Sequence, residues 1–168
     1  ENIGDSVIIT GLNEFFQEIS EIVAIGDTAV ERFSRVFRAQ MLNTTNVADV
    51  DISMSGGLAA RITAGLAQTL MAVYTVPAGK TAYLLKLTLG SDKASTNSAM
   101  GYSLMSRNSP LSPFRIKGRL YSAGGQNILQ EYPIPLRFGE KSDIRLDLTA
   151  AQATKVSATF ELILVDNA

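Results

Sequence analysis

The sequence predicts an all-β protein: a β-sandwich or jelly-roll-like domain over residues 48–168, preceded by an N-terminal β-rich arm or partial second domain over residues 1–47. Three observations carry that prediction. Short runs of alternating apolar and polar residues recur from residue 48 onward. Turn chemistry separates them at intervals of roughly 8–12 residues. Charged residues make up only 18% of the chain, against roughly 25% in an ordinary soluble protein, while apolar residues stay at 46%. At 168 residues, one domain or one domain plus an appendage is the natural expectation.

The elements follow in chain order. "DSVIITG" reads as a strand ending in a Gly turn, and "EISEIVAI" as a second strand. "AVERFSRVFRAQML" has two readings over residues 29–42. Val30, Phe33, Phe37 and Met41 fall at helical spacing, which favours an amphipathic helix on periodicity alone. The β-branched and aromatic content also permits a strand with Phe33 and Phe37 on one face. Two or three strands cannot bury a core alone. Residues 1–47 must therefore pack on the larger domain, on a neighbouring subunit or on sequence upstream.

"ADVDISM" alternates Val50 and Ile52 against Asp49, Asp51 and Ser53, as a half-buried strand does. "QTLMAVYTV" and "KTAYLLKLTLG" flank "VPAGK", where Pro77 suits the second position of a β-turn and Gly79 the fourth. The three together predict a hairpin, with Tyr83, Leu85, Leu87 and Leu89 on one face of its second strand. "AMGYSLMSR", the loop "NSPLSP" and "FRIKGRLYS" follow. After the "AGGQ" turn, "NILQEYPIPLRFG" contains Pro133 and Pro135, which lack ladder donors and belong at a sheet edge or a bend. "SDIRLDLTA" and "KVSATFELILVD" are two further alternating strands. About eight strands in about 120 residues match a sandwich or jelly roll.

Composition excludes several functions. The chain has no Cys and no His, so disulfides, thiolate nucleophiles, catalytic triads built on His and His-based zinc sites are all ruled out within it. Fifteen basic and 16 acidic residues leave almost no net field to hold nucleic acid or an anionic membrane. A surface poor in charge is what extensive subunit contact selects, because interface cores are depleted of charged residues; a β protein with a Ser/Thr-rich exterior is the other reading of the same composition. No basic stretch followed by an apolar one marks a signal peptide. Residues 62–79 carry no charge, but their Thr, Gln, Gly and Pro content suits a buried strand with its turns better than a membrane span.

Candidate chemical motifs are weak. Glu14, Glu18 and Glu21 lie close in sequence, and Asp143 and Asp147 share one strand face with Arg145. That face reads as solvated, whereas a glycosidase needs carboxyls facing each other across a cleft. Asn46, Asp49 and Asp51 could form a loose oxygen-ligand loop but lack a calcium-loop register. "PAGKT" lacks the first Gly of a phosphate loop, so Lys80 and Thr81 are turn residues. No catalytic, cofactor-binding or metal-binding residue is expected. Arg115, Lys117 and Arg119 share one face of a strand, with Arg107, Phe114 and Tyr121 nearby. They form a basic face that could meet an anionic partner or guard a sheet edge.

Several runs resemble structural proteins of tailed bacteriophages of marine and cyanobacterial type. They are "LAQTLMAVYTVPAGKTAYLLKLTLGSDK", "PFRIKGRLYSAGGQ", "YPIPLRFGEKSDIRLDLTA" and "VSATFELILVDN". The similarity is strongest over residues 66–167, and "VIITGLNEFFQEISEIVAI" with "FSRVFRA" resembles the β-rich segment that precedes such domains. It favours the strand reading of residues 29–42. It implies a non-enzymatic virion protein without cofactors, assembled in the host cytoplasm. A capsid decoration or cement protein is the leading expectation, with a tail-associated or tail-fibre module binding the host surface as the alternative. The partners implied are other copies of the chain, as a homo-oligomer such as a trimer, and the major capsid protein or other virion proteins; neither membrane nor nucleic acid is expected. Ile8, Ile9, Leu12, Phe15, Phe16, Phe33 and Phe37 would then serve packing, either between subunits or in the chain's own core.

Overall fold

The computed structural model describes residues 5–43, 45–91, 100–122, 126–150 and 156–167. The described residues contain strands and no helix, and the chain divides into two compact units, Glu1–Met71 and Ala72–Ala168. The boundary therefore lies some two dozen residues beyond the expected one at residue 47. The reason is core formation in the first unit, where Val50 and Ile62 are buried in one cluster with Val7, Ile9, Ala39 and Met41.

In the first unit, β1 (Ser6–Asn13) is the central strand of an antiparallel sheet, between β2 (Glu18–Ala24) and β3 (Phe33–Met41). Residues 33–41 are thus strand, and the helical spacing of Val30, Phe33, Phe37 and Met41 was misleading. Val30 lies exposed in the preceding loop, and Phe37 occupies the register shift between Thr10 and Gly11. The same irregularity explains why Gly11 and Leu12 are buried consecutively in β1. Asn13 shapes the β1–β2 turn: its Oδ1 accepts the backbone N–H groups of Phe15 and Gln17 at 2.9 and 3.0 Å.

β4 (Val50–Met54) and β5 (Gly57–Ile62) form a hairpin that adds Val50 and Ile62 to the core. β5 was not expected, since "GLAARI" carries two Ala and a Gly and little β propensity. Buried Asn46 ties the segment after it: Nδ2 faces the carbonyls of Ala48, Ile62 and Thr63, and Oδ1 accepts the Ala67 N–H. Residues 67–69 then run along β3, with Met41 N–H donating to Ala67 O and Thr69 N–H to Ala39 O, both at 2.8 Å.

Among the described residues, the second unit holds seven strands: β6 (Val73–Thr75), β7 (Lys80–Ser91), β8 (Met100–Arg107), β9 (Arg115–Ser122), β10 (Ile128–Phe138), β11 (Asp143–Ala150) and β12 (Val156–Asp166). They make two antiparallel sheets, ordered β10-β7-β12 and β6-β11-β8-β9. Both sheets feed one core: Ala82, Leu84, Leu87 and Phe138 from the first, Leu104 and Ile144 from the second. The unit is therefore a β-sandwich. Its antiparallel pairs nest as β8·β9, β7·β10 and β6·β11, the winding of a jelly roll.

Two expectations change here. The hairpin across "VPAGK" does not form: β6 pairs with β11, and the turn carries the chain from one sheet to the other. Lys80 N–H donates to Pro77 O, so Pro77 holds the first turn position and Gly79, at φ 74°, the third, as a type II turn demands. In β7 the buried large apolar residues are Leu84, Leu87 and Leu89, with Ala82 beside them and Tyr83 and Leu85 only half-buried. A bulge on β7 between the partners of Glu161 and Leu162 switches the parity. Opposite it, β10 breaks register between Glu131 and Leu136, so Pro133 and Pro135 sit in the irregular stretch of an edge strand.

Candidate assembly surface

The seven apolar residues singled out in the sequence separate into four environments. Ile9 and Leu12 are buried, 8% and 0% exposed, in the interior of the first unit. Phe33 packs against the same core. Ile8 lies on the opposite face of β1, directly across from Ile22, which is 59% exposed. Phe37 is half-buried at the β1–β3 register shift. Phe15 stands out from the β1–β2 turn at 67% exposure, and Phe16, at φ 62°, lies under the Arg35 guanidinium 5.9 Å from its ring centroid. Phe15 is thus the exposed member of the set, Ile8, Phe16 and Phe37 are half-buried, and Ile9, Leu12 and Phe33 serve the chain's own core.

The core of the first unit opens on one side into a groove of about 1130 Å³. Its floor includes Val23, Ile25, Phe33, Val36 and Ile52, and its rim carries Asp27, Glu31, Arg32, Asp49 and Asp51. Glu21 fixes the loop above it by accepting the N–H groups of Val30 and Glu31, each at 2.9 Å. The rim acids at β4 are already engaged. Arg61 binds both oxygens of Asp51, at 2.6 and 2.7 Å, and approaches Asp49 at 3.4 Å. The hydrogen bond from Arg61, reinforced by its charge, holds the Asp51 carboxyl below the usual aspartate range. The other Asp49 oxygen accepts Ala64 N–H, and Asn46 Oδ1 accepts Ala67 N–H. The three residues considered for calcium therefore spend their oxygens on protein donors.

Asp143 corrects a further expectation. It is buried on its strand rather than solvated, because Thr75 donates to Oδ1 and Arg107 Nε to Oδ2, both at 2.6 Å. Arg107 and Arg145 flank the Phe114 ring at 4.6 and 4.1 Å from its centroid, cation–π contacts that shield the pair. Asp147 binds Arg145 at 3.0 Å. The two aspartates face separate arginines on one strand and form no cleft. No group of metal-ligating side chains occurs among the described residues.

Arg115, Lys117 and Arg119 are all exposed on β9, the edge strand of its sheet, but they do not share the one face expected. Lys117 falls at a register shift, which leaves Arg115 paired with Ser106 on one face and Arg119 with Ser103 on the other. Tyr121 follows Arg119 on the same face at 71% exposure, its ring over Gly101 on β8. Other large apolar side chains stand out from ordered strands of the second unit, among them Leu129 and Ile163, and Ile134 lies 85% exposed in the irregular part of β10. No helix among the described residues is long and apolar enough to cross a membrane. Comparison with protein-family models, with curated proteins and with solved structures finds no match.

Proposed function

We propose that this chain is a non-catalytic structural protein of a virus particle, most specifically a capsid-surface decoration protein of a tailed phage that acts by adhesion. The observation that carries the reading is the pairing of a charge-poor composition, 18% charged, with large apolar side chains left exposed on ordered strands, such as Ile22, Leu58, Leu129 and Ile163. Such residues gain roughly 25 cal/mol per Å² when a neighbour covers them. Adhesion needs area and shape, and it needs no ionisable catalyst. The phage-like turn and strand signatures of residues 66–167 supply the particle as the setting. Other copies of the chain and the major capsid protein are the partners this reading names.

The test is location and copy number in purified particles that carry the protein, by antibody labelling under the electron microscope and quantitative mass spectrometry. Copies in the hundreds over the head surface support decoration. A few copies at one vertex would replace it with a tail-associated, host-binding role, and absence from the particle would remove both.

A further inference from the structure

The two sheets of the sandwich present four edges, and three of them carry a device that discourages strand addition. The β6 edge is three residues long. The β9 edge bears Arg115, Lys117 and Arg119. The β10 edge contains Pro133 and Pro135 and breaks its register. Short edge strands, positive charges, prolines and bulges are the usual protections of an open edge. β12 is long and has neither proline nor positive charge, and the one register shift in its pairing, at Glu161/Leu162, is a bulge of β7 and not of β12. It runs eleven residues, pairs with β7 along its whole length, and contains no Pro, Gly, Lys or Arg. Its end is pinned by Lys80 Nζ on Asp166 and Asn167 N–H on Gly79 O, at 2.7 and 2.8 Å.

The winding of the sandwich shows what is missing beside it. In the nest β8·β9, β7·β10, β6·β11, the next pair would join β12 to a strand preceding β6. That stretch of chain is committed elsewhere, since Ala67 and Thr69 bond to β3 and Gln68 bridges Gln40. Among the described residues, no strand pairs with the outer edge of β12.

We infer that the outer edge of β12 pairs antiparallel with β12 of a second copy, joining two three-stranded sheets into one continuous six-stranded sheet. The sequence of β12 is complementary to itself about Leu162. In that register Leu162 meets its own counterpart, Phe160 faces Leu164 and Ala158 faces Asp166; on the outer face Glu161 lies opposite Ile163 and Thr159 opposite Val165. No like charges stand directly opposite each other, and Glu161 is already bound by Lys86 at 2.7 Å. Ile163 and Val165, 49% and 47% exposed, gain cover from the partner. Two copies related by a twofold axis satisfy both unguarded edges at once and leave none to propagate a fibre. The inference deepens the self-association in the proposed function and rests on that reading only there, because it is read on the free protein without any particle.

The test is the mass of the full chain in solution by size-exclusion chromatography with light scattering. The wild type is expected to associate through pairs, at twice the 18.0 kDa of the chain or a multiple of that. Thr159→Lys/Val165→Lys places lysines opposite each other at both ends of the register and should halve the mass with an unchanged circular dichroism spectrum. Ile163→Lys places its lysine opposite Glu161 and should leave the mass intact. A monomeric wild type, a double-lysine variant of undiminished mass, or dissociation by Ile163→Lys would each overturn the inference. Should the double-lysine variant misfold, Glu161→Cys/Ile163→Cys decides the matter. The chain has no other cysteine, so oxidation must yield a covalent dimer, and monomer alone refutes the pairing. Failure of the particle experiment leaves these readouts unaffected.

Discussion

Replacing Gly11 by Ala should damage the first unit severely. Gly11 lies where β1 and β3 shift register, and a Cβ built on it falls 1.9 Å from the carbonyl oxygen of Arg35 and 3.1 Å from Phe33 Cδ1. Reaching even 3.0 Å requires the oxygen to retreat by at least 1.1 Å. That oxygen belongs to the main chain of a paired strand, so no rotamer change can relieve the clash. Overpacking a core costs typically 1–3 kcal/mol and occasionally more. The top of that range, about 3 kcal/mol, is expected here. Gly118→Ala in β9 is the matched control: nothing lies within 4 Å of its added Cβ, and the change should stay within about 0.5 kcal/mol. Denaturant unfolding can locate the damage, because all five tyrosines lie in the second unit, between Tyr74 and Tyr132. The loss should appear in far-ultraviolet circular dichroism, while the tyrosine fluorescence transition keeps its midpoint. A Gly11→Ala variant no less stable than Gly118→Ala would refute the reasoning.

Arg107→Ala should cost about 3 kcal/mol, since removing one partner of a largely buried ion pair leaves the other charge without its arginine; Asp143 would retain its hydrogen bond from Thr75. Arg107→Lys should recover only part of the loss, because an ammonium does not reproduce the flat guanidinium stacked on Phe114. This change belongs to the second unit and should move the tyrosine transition; full stability of Arg107→Ala would contradict the assignment. Stability should also fall at both extremes of pH. Asp51 and Asp166 are held below the ordinary aspartate value of 3.8 by hydrogen bonds from Arg61 and Lys80. Their contribution is complete above that value and is lost as pH falls through their lowered values. Lys86, raised above 10.5 by its hydrogen bond to Glu161, contributes below that value and loses its effect as pH rises through the raised one. These pairs are exposed, so about 1 M salt should flatten both limbs; a profile insensitive to salt would contradict their role.

Local alternation was enough to read most strands of the second unit, because a half-buried strand writes its two faces into successive residues. It failed where the ladder is irregular. In β7 the bulge exchanges the buried set at Leu84 and Leu87, and period-two counting across it assigns Leu85 to the wrong face. In β3 the register shift around Phe37 interrupts the alternation, and a helical spacing appears that the chain does not use. Pro133 and Pro135 were legible as edge or bend residues because a missing N–H is a local property. The candidate surface was harder to read: Ile8 and Ile9 are neighbours of similar hydrophobicity, and only the sheet decides that one faces the core and the other does not.

What the sequence determined by itself is the class of chemistry and of fold. The lack of His and Cys removes whole families of sites whatever the chain's shape, and alternating runs with turn residues between them lead to packed antiparallel sheets. Pairing was decided by tertiary structure. Residues that favour a strand do not encode which strand they will meet, since backbone hydrogen bonds are the same for every partner. Thus "VYT" joins β11 in one sheet instead of closing a hairpin on β7, which lies in the other, and the β4–β5 hairpin completes the first core instead of opening the second. The same long-range pairing leaves β12 at an edge, a property no reading of its eleven residues alone could supply.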